Sequence, residues 1–246
     1  MNFLEAVLSG IIQGLTEFLP ISSSGHLVIL HNLFGLKEPQ ILFDIFLHLG
    51  TLLAIVIVFA RDIVDLFTIR KRNIIHLLIA TLVTGVFVVI FGKGIERVFS
   101  DVKLVGVMLV LTGVWLFVGV FVRFGGETLS GIKSVIVGIS QGIAAIPGIS
   151  RSGATISTAM FLGLSPNSAV RFSFLLSIPA IVGAFILKVK QGGLEGFSIN
   201  YIFGFITSCI VGIFSLRLLL KVLYKNKLYI FGFYCIIAGM LVLIFL

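Results

Sequence analysis

Between Lys103 and Arg123 the chain runs for 19 residues, Leu104 to Val122, without a charged side chain, and Leu228 to Leu246 is a second uncharged run of 19. A helix of about 20 residues crosses the hydrocarbon core of a bilayer. No water reaches that core, so a spanning segment must satisfy its backbone N–H and C=O groups internally. The rest of the composition agrees: 59% of the 246 residues are hydrophobic and 11% charged, with a mean hydropathy of +1.22. These values exclude an ordinary soluble domain. The net charge of +8 sits mostly between apolar runs, as loop charges that set topology do, so no nucleic-acid partner is expected. No small-residue cleavage site follows the first apolar stretch, so a removable signal peptide is not expected. Cys209 and Cys235 lie in apolar runs and read as buried thiols.

Six segments read as full spans: 41–60, 74–92, 104–122, 172–187, 200–220 and 228–246. Two regions differ. Residues 3–18 would make a helix of only about 24 Å. That run breaks at Leu19-Pro20, passes through Ser22-Ser23-Ser24-Gly25 and resumes to Phe34. Residues 132–146 break likewise at Pro147-Gly148, pass through Ser150-Arg151-Ser152-Gly153 and resume to Leu164. Broken helices at membrane depth must be buried in protein or line an aqueous cavity, so both regions read as re-entrant hairpins. They are also copies. A shift of 128 positions places Gly10–Gly25 on Gly138–Gly153 with eight of 16 residues identical, Gln13-Gly14 and the Ser-x-Ser-Gly among them. Internal duplication explains this unbroken register.

Ten Lys and Arg fall on one side of the spans, including Arg61, Arg70, Lys71, Arg72, Arg123, Lys133, Arg217, Lys221, Lys225 and Lys227, against six on the other. The positive-inside rule places the first set in the cytoplasm. Each copy then holds one hairpin and three spans, an odd number of crossings, so the second copy enters the membrane inverted. The expected fold is an all-α integral membrane protein, one membrane domain over 1–246, built of inverted repeats 1–123 and 129–246 whose hairpin tips meet near the midplane.

A new helix begins after each tip. Helix N-termini present free N–H groups and a positive dipole end, and two facing each other suit a diphosphate. Ser22, Ser24, Gly25, Ser150, Ser152 and Gly153 are the expected phosphate contacts, and Arg151 supplies a bidentate guanidinium. Glu17 and Gln13 share a helix face one turn apart. An unpaired carboxylate at that depth is either protonated and hydrogen-bonded or needs a cation. A divalent metal bridging Glu17 and diphosphate oxygens is the expected one, and oxygen ligands point to Mg²⁺ or Ca²⁺, with Gln13 or Asp44 as candidate further ligands. Ser23 and His26 are candidates for nucleophile or acid–base. Asp44 and His48, spaced i, i+4, can touch and line the same cavity. His31 and His76 carry no such context.

"QGLTEFLPISSSGH" (Gln13–His26) and "PGISRSGATIS" (Pro147–Ser157) resemble signature stretches of the bacterial undecaprenyl-diphosphate phosphatase, or bacitracin-resistance, family. "FDIFLHLGTLLA" (Phe43–Ala54) and "RFSFLLSIPA" (Arg171–Ala180) fit as well, and the resemblance runs the whole length. It implies metal-dependent hydrolysis of undecaprenyl diphosphate to undecaprenyl phosphate and inorganic phosphate, recycling the carrier for cell-wall synthesis. It also implies a multi-pass protein of the bacterial plasma membrane with its site reached from the outer face. By that resemblance the essential carboxylate falls on Glu17, the serine and histidine on Ser23 and His26 with Ser22 beside them, and the second motif on Ser150, Arg151 and Thr155. One departure stands out: many members carry a second glutamate where this chain has Gln13. The partners implied are the polyprenyl lipid and membrane lipids, with a homo-oligomer left open. Inverted repeats with broken helices are also a transport architecture, so a polyprenyl-phosphate flippase using the same site is the alternative. The type 2 phosphatidic-acid phosphatases are excluded, because they need a histidine shortly after the Ser-Arg pair and none occurs beyond His76.

Overall fold

The computed structural model describes residues 1–36, 40–69, 71–118, 129–192, 196–223 and 228–246. Lys37, Arg70, Arg123, Lys225, Lys227 and the end of the 104–122 run lie outside the described residues. The described residues form eleven helices and no strand: α1 (Phe3–Thr16), α2 (Ser23–Leu33), α3 (Ile41–Val58), α4 (Ala60–Thr68), α5 (Lys71–Val98), α6 (Val102–Val118), α7 (Gly131–Ile143), α8 (Arg151–Phe161), α9 (Pro166–Gly192), α10 (Asn200–Leu223) and α11 (Tyr229–Phe245).

Four helices are long and apolar enough to cross a membrane: Ile41–Val58, Asn73–Ile95, Pro166–Lys190 and Asn200–Val222. Helices α6 and α11 are apolar but shorter. Several helices outrun the spans expected from hydropathy, because polar residues continue a helix beyond the apolar stretch that hydropathy detects. The basic stretch after residue 60 is not all loop either. Residues 60–68 form α4, whose Asp62 accepts a hydrogen bond from Arg171 on α9.

The two short hairpins are α1–α2 and α7–α8. Asn2 starts α1 with a capping box, its side chain accepting from Glu5 N–H at 2.9 Å while Glu5 accepts from Asn2 N–H at 2.8 Å. The helix stops at Glu17, where Pro20 lies too close for the ladder to continue. Ser22 and Ser150 then cap α2 and α8, their hydroxyls accepting from the N–H groups of Gly25 and Gly153.

Glycines set the helix–helix contacts. A Cβ on Gly10 would lie 2.6 Å from the Gly204 carbonyl of α10, and one on Gly14 would lie 2.7 Å from Val211 Cβ. The duplicated Gly138 and Gly142 meet Ala80 and Phe87 of α5 in the same way, at 2.6 Å each. Each hairpin's first helix therefore lies parallel on a long helix of the other half, through a small-xxx-small face. Helices α6 and α11 close on each other through Gly106 with Gly239 and Gly113 with Gly232, an order that makes them antiparallel. Among the described residues the largest apolar core gathers Phe18, Phe59, Phe174, Leu176, Leu216 and their neighbours. Both cysteines are free and buried, as expected, and the Cys235 thiol donates to Pro20 O at 3.6 Å.

Candidate active site

The tips of the two hairpins touch. A Cβ on Gly25 would lie 3.0 Å from Gly148 Cα, and one on Gly153 would lie 3.2 Å from Pro20 Cβ; the shift of 128 exchanges these two contacts. Gly148 takes φ +94°, a left-handed conformation that costs glycine little. Its N–H donates to Ser22 Oγ at 3.1 Å, and Ser22 Oγ donates in turn to Ile149 O at 3.4 Å. Across the same seam Ser152 Oγ donates to Leu19 O at 3.3 Å. Thr112 of α6 steadies the second tip, donating to Gly148 O at 2.9 Å and accepting from Ser150 N–H at 3.1 Å.

One carboxylate organises the seam. Glu17, at the end of α1, is buried, and its Oε1 accepts from Arg151 Nη2 of the second tip. Its Oε2 accepts from Ser23 Oγ at 2.6 Å and from Gln13 Nε2 at 3.0 Å. His48 Nε2 stands 3.5 Å from the same oxygen. The other ring nitrogen of His48 lies 2.7 Å from Asp44 O, a carbonyl that only accepts, so Nδ1 carries a proton. Arg151 also lies over the Phe174 ring, 5.7 Å from its centroid, and its Nη1 is buried without a partner among the described residues. An arginine with one half of its fork paired and the other half buried and free is arranged to take an anionic oxygen.

The expected residues do not all arrive at this point. Gln13, Glu17, Ser23 and Arg151 do, with Ser22, Gly25, Ser150, Ser152 and Gly153 forming the seam around them. Ser24 contributes only a 3.4 Å contact to Ser22. Thr155 is turned inward: its hydroxyl donates to Arg151 O at 2.7 Å and lies 2.6 Å from Ser173 Oγ, so it supports the Arg151 backbone. His26 is directed elsewhere, with Nε2 2.7 Å from Tyr234 Oη on α11. The expected side-chain pair of Asp44 and His48 does not form. The helix's own carbonyl at Asp44 takes His48 Nδ1, and the Asp44 carboxylate faces His31 instead, 3.9 Å from Nε2. His31, which sequence spacing left unassigned, is thus a buried neighbour of Asp44. Thr51, whose hydroxyl accepts from Gln13 Nε2 at 3.4 Å, Thr112 and Ser173 also serve the site; each is a hydroxyl within an apolar helix, and nothing in the sequence marks its partner.

Among the described residues no group of three or more His, Cys, Asp or Glu side chains is arranged to hold a metal ion. The donor set fits a metal only in shared form. Glu17 supplies the one carboxylate, and Gln13 Oε1 is buried without a partner among the described residues. Mg²⁺ is commonly held by one or two carboxylates together with substrate phosphates, which such a pair satisfies.

The bacitracin resistance protein BacA family matches residues 6–241 of this chain. The chain belongs to that family. It is 40% identical to a protein of Halothermothrix orenii named undecaprenyl-diphosphatase, with 99% of this chain and 98% of the relative covered. A Treponema denticola protein of the same name is 41% identical over 98% of this chain and 96% of its own length. A Bacillus thuringiensis protein named undecaprenyl-diphosphatase 2 is 40% identical, covering 99% of this chain and 97% of its own. These relatives bear an enzyme's name and not a transporter's, so the flippase reading is not carried further.

Proposed function

We propose that this chain hydrolyses undecaprenyl diphosphate to undecaprenyl phosphate and inorganic phosphate at the seam between its two hairpin tips. The observation that carries the reading is Glu17 held between Arg151 of the other hairpin and Ser23 of its own. The diphosphate lies across the N-termini of α2 and α8, where the positive ends of the two helix dipoles and the free half of the Arg151 fork meet its charge. Glu17 Oε2, 2.6 Å from Ser23 Oγ, takes the serine proton as the hydroxyl attacks the terminal phosphorus. The bond from that phosphorus to the bridging oxygen breaks, and its electrons leave with the lipid monophosphate, whose charge Arg151 balances. The departing lipid monophosphate takes that proton from Glu17. Glu17 then accepts a proton from the water that attacks the phosphoserine, the P–Oγ bond breaks, and Glu17 returns the proton to Ser23 Oγ as phosphate leaves. A divalent metal, Mg²⁺ or Ca²⁺, would be held by Glu17 and Gln13 together with diphosphate oxygens, and when bound it neutralises phosphate charge.

The inverted repeat belongs to the same proposal. It is supported by the exchange of tip contacts under the 128-residue shift and by the antiparallel run of α6 and α11, which occupy equivalent places in the two halves. The plasma membrane, with access from the outer face, belongs to the proposal too, as the family resemblance implies; the loop charges support only which loops face the cytoplasm. The test is release of inorganic phosphate from undecaprenyl diphosphate by the purified chain in detergent. Release that vanishes in Ser23→Ala, with a trapped phosphoenzyme on the wild type only, is expected. Flux of lipid phosphate across liposomes without any hydrolysis would overturn the reading.

A further inference from the structure

Ser22 is the one non-glycine residue among those described with a positive φ, +66°, whereas its duplicate Ser150 sits at −73° in ordinary extended backbone. A left-handed conformation at a residue with a Cβ is costly and persists only where its surroundings enforce it. The enforcing contacts are visible. The Ser22 carbonyl accepts from His26 N–H at 3.2 Å and faces His26 Nδ1 at 2.7 Å. A carbonyl cannot donate, so Nδ1 carries a proton, and in the neutral ring Nε2 is an acceptor. Tyr234 Oη, 2.7 Å from Nε2, is placed to donate to it, and the two rings are stacked, 12° from parallel. The backbone bond recurs at Ser150, whose carbonyl accepts from Ala154 N–H at 2.8 Å, but the imidazole contact has no counterpart there, since the duplicate of His26 is Ala154.

We propose that Tyr234 is a positioning residue for the hydrolysis, acting through His26 to hold the Ser22 carbonyl in its strained turn. The turn matters because the adjacent side chains depend on it: Ser22 Oγ takes Gly148 N–H and Gly25 N–H, and Ser23 Oγ reaches Glu17. Helix α11 thereby fixes the first tip against the second. The inference rests on the proposed hydrolysis and assigns His26 to tip geometry, away from proton transfer.

The test uses the full-length chain in detergent. Tyr234→Phe keeps the stacked ring and removes only the hydroxyl. It should lower kcat by about tenfold, as expected for one lost hydrogen bond to a strained element, with KM changed by less than about twofold. Hydrogen exchange at the Gly25 and Gly148 amides should quicken by a similar factor, while the long helices stay protected. In a Ser22→Gly background, where φ +66° carries no Cβ penalty, the Tyr234→Phe ratio should shrink to within about twofold. Unchanged kcat in Tyr234→Phe overturns the proposal. So does a fall in kcat with unchanged tip-amide exchange, which would make His26 a proton carrier instead. A chain with no wild-type hydrolysis fails the functional reading itself, and that result is distinct from either.

Discussion

Replacing Glu17 with glutamine removes one charge and changes little volume, and the site geometry sets its cost. Glu17 accepts from Arg151 on one oxygen and from Ser23, 2.6 Å, and Gln13, 3.0 Å, on the other. An amide can turn its oxygen toward only one of these sets. Facing Arg151 with oxygen, it sets an NH₂ against the Gln13 amide donor and leaves Ser23 without its base. Facing Ser23, it sets NH₂ against a guanidinium. Either way the Arg151 charge, in a side chain only 17% exposed, loses its counter-ion. Breaking a buried pair by neutralising one member costs about 3–5 kcal/mol. Removing a general base costs about 10²–10⁴ in rate. The double variant Glu17→Gln/Arg151→Met removes both charges, so it should regain most of the lost thermal stability while kcat stays at the single-variant level or below. Melting in detergent and phosphate release on the same preparations read the two quantities separately. If Glu17→Gln melts like the wild type and retains more than about a tenth of its activity, Glu17 is neither the counter-ion nor the base argued from its contacts.

Gly50→Ala should destabilise, because its Cβ would overlap Ser208 Oγ and the Phe205 carbonyl of α10, a backbone atom that cannot step aside; overpacking of this kind costs about 1–3 kcal/mol. Gly85→Ala on α5 meets nothing within 4 Å and should be neutral or stabilising by about 0.5–1 kcal/mol, and melting temperatures of the two compare them directly. Thr112→Val keeps the shape but leaves Gly148 O and Ser150 N–H without their partner, so kcat and melting temperature should both fall, by about 1–3 kcal/mol for each unsatisfied group. Chelation of divalent cations should abolish phosphate release, and added Mg²⁺ should restore it.

The breaks of both hairpins were legible because proline and the Ser-x-Ser-Gly pattern end one helix and start another wherever they occur, and the duplication put both in register. The Glu17–Arg151 pair was legible only as two costly charges. The residues are not duplicates of each other, Glu17 aligning with Ala145 and Arg151 with Ser23, so their meeting appears only when the tips dock. His48 shows the limit of spacing rules. Asp44 at i−4 is within reach, yet its backbone carbonyl captured Nδ1, and the nitrogen left over points across to another helix. The glycines mark the duplication in the sequence, but their packing role is not legible there. Their neighbours on α5 and α10 lie far away in sequence, and only the assembled fold shows which backbones they admit.

The central claim is that one phosphatase site is divided between two hairpins. It is tested most directly by measuring phosphate release from undecaprenyl diphosphate by the purified wild type, Ser23→Ala and Arg151→Ala side by side. Loss of activity by at least about 10² in each variant, one from either tip, is expected. Near-normal hydrolysis by Arg151→Ala would contradict it, leaving the second tip as scaffold alone.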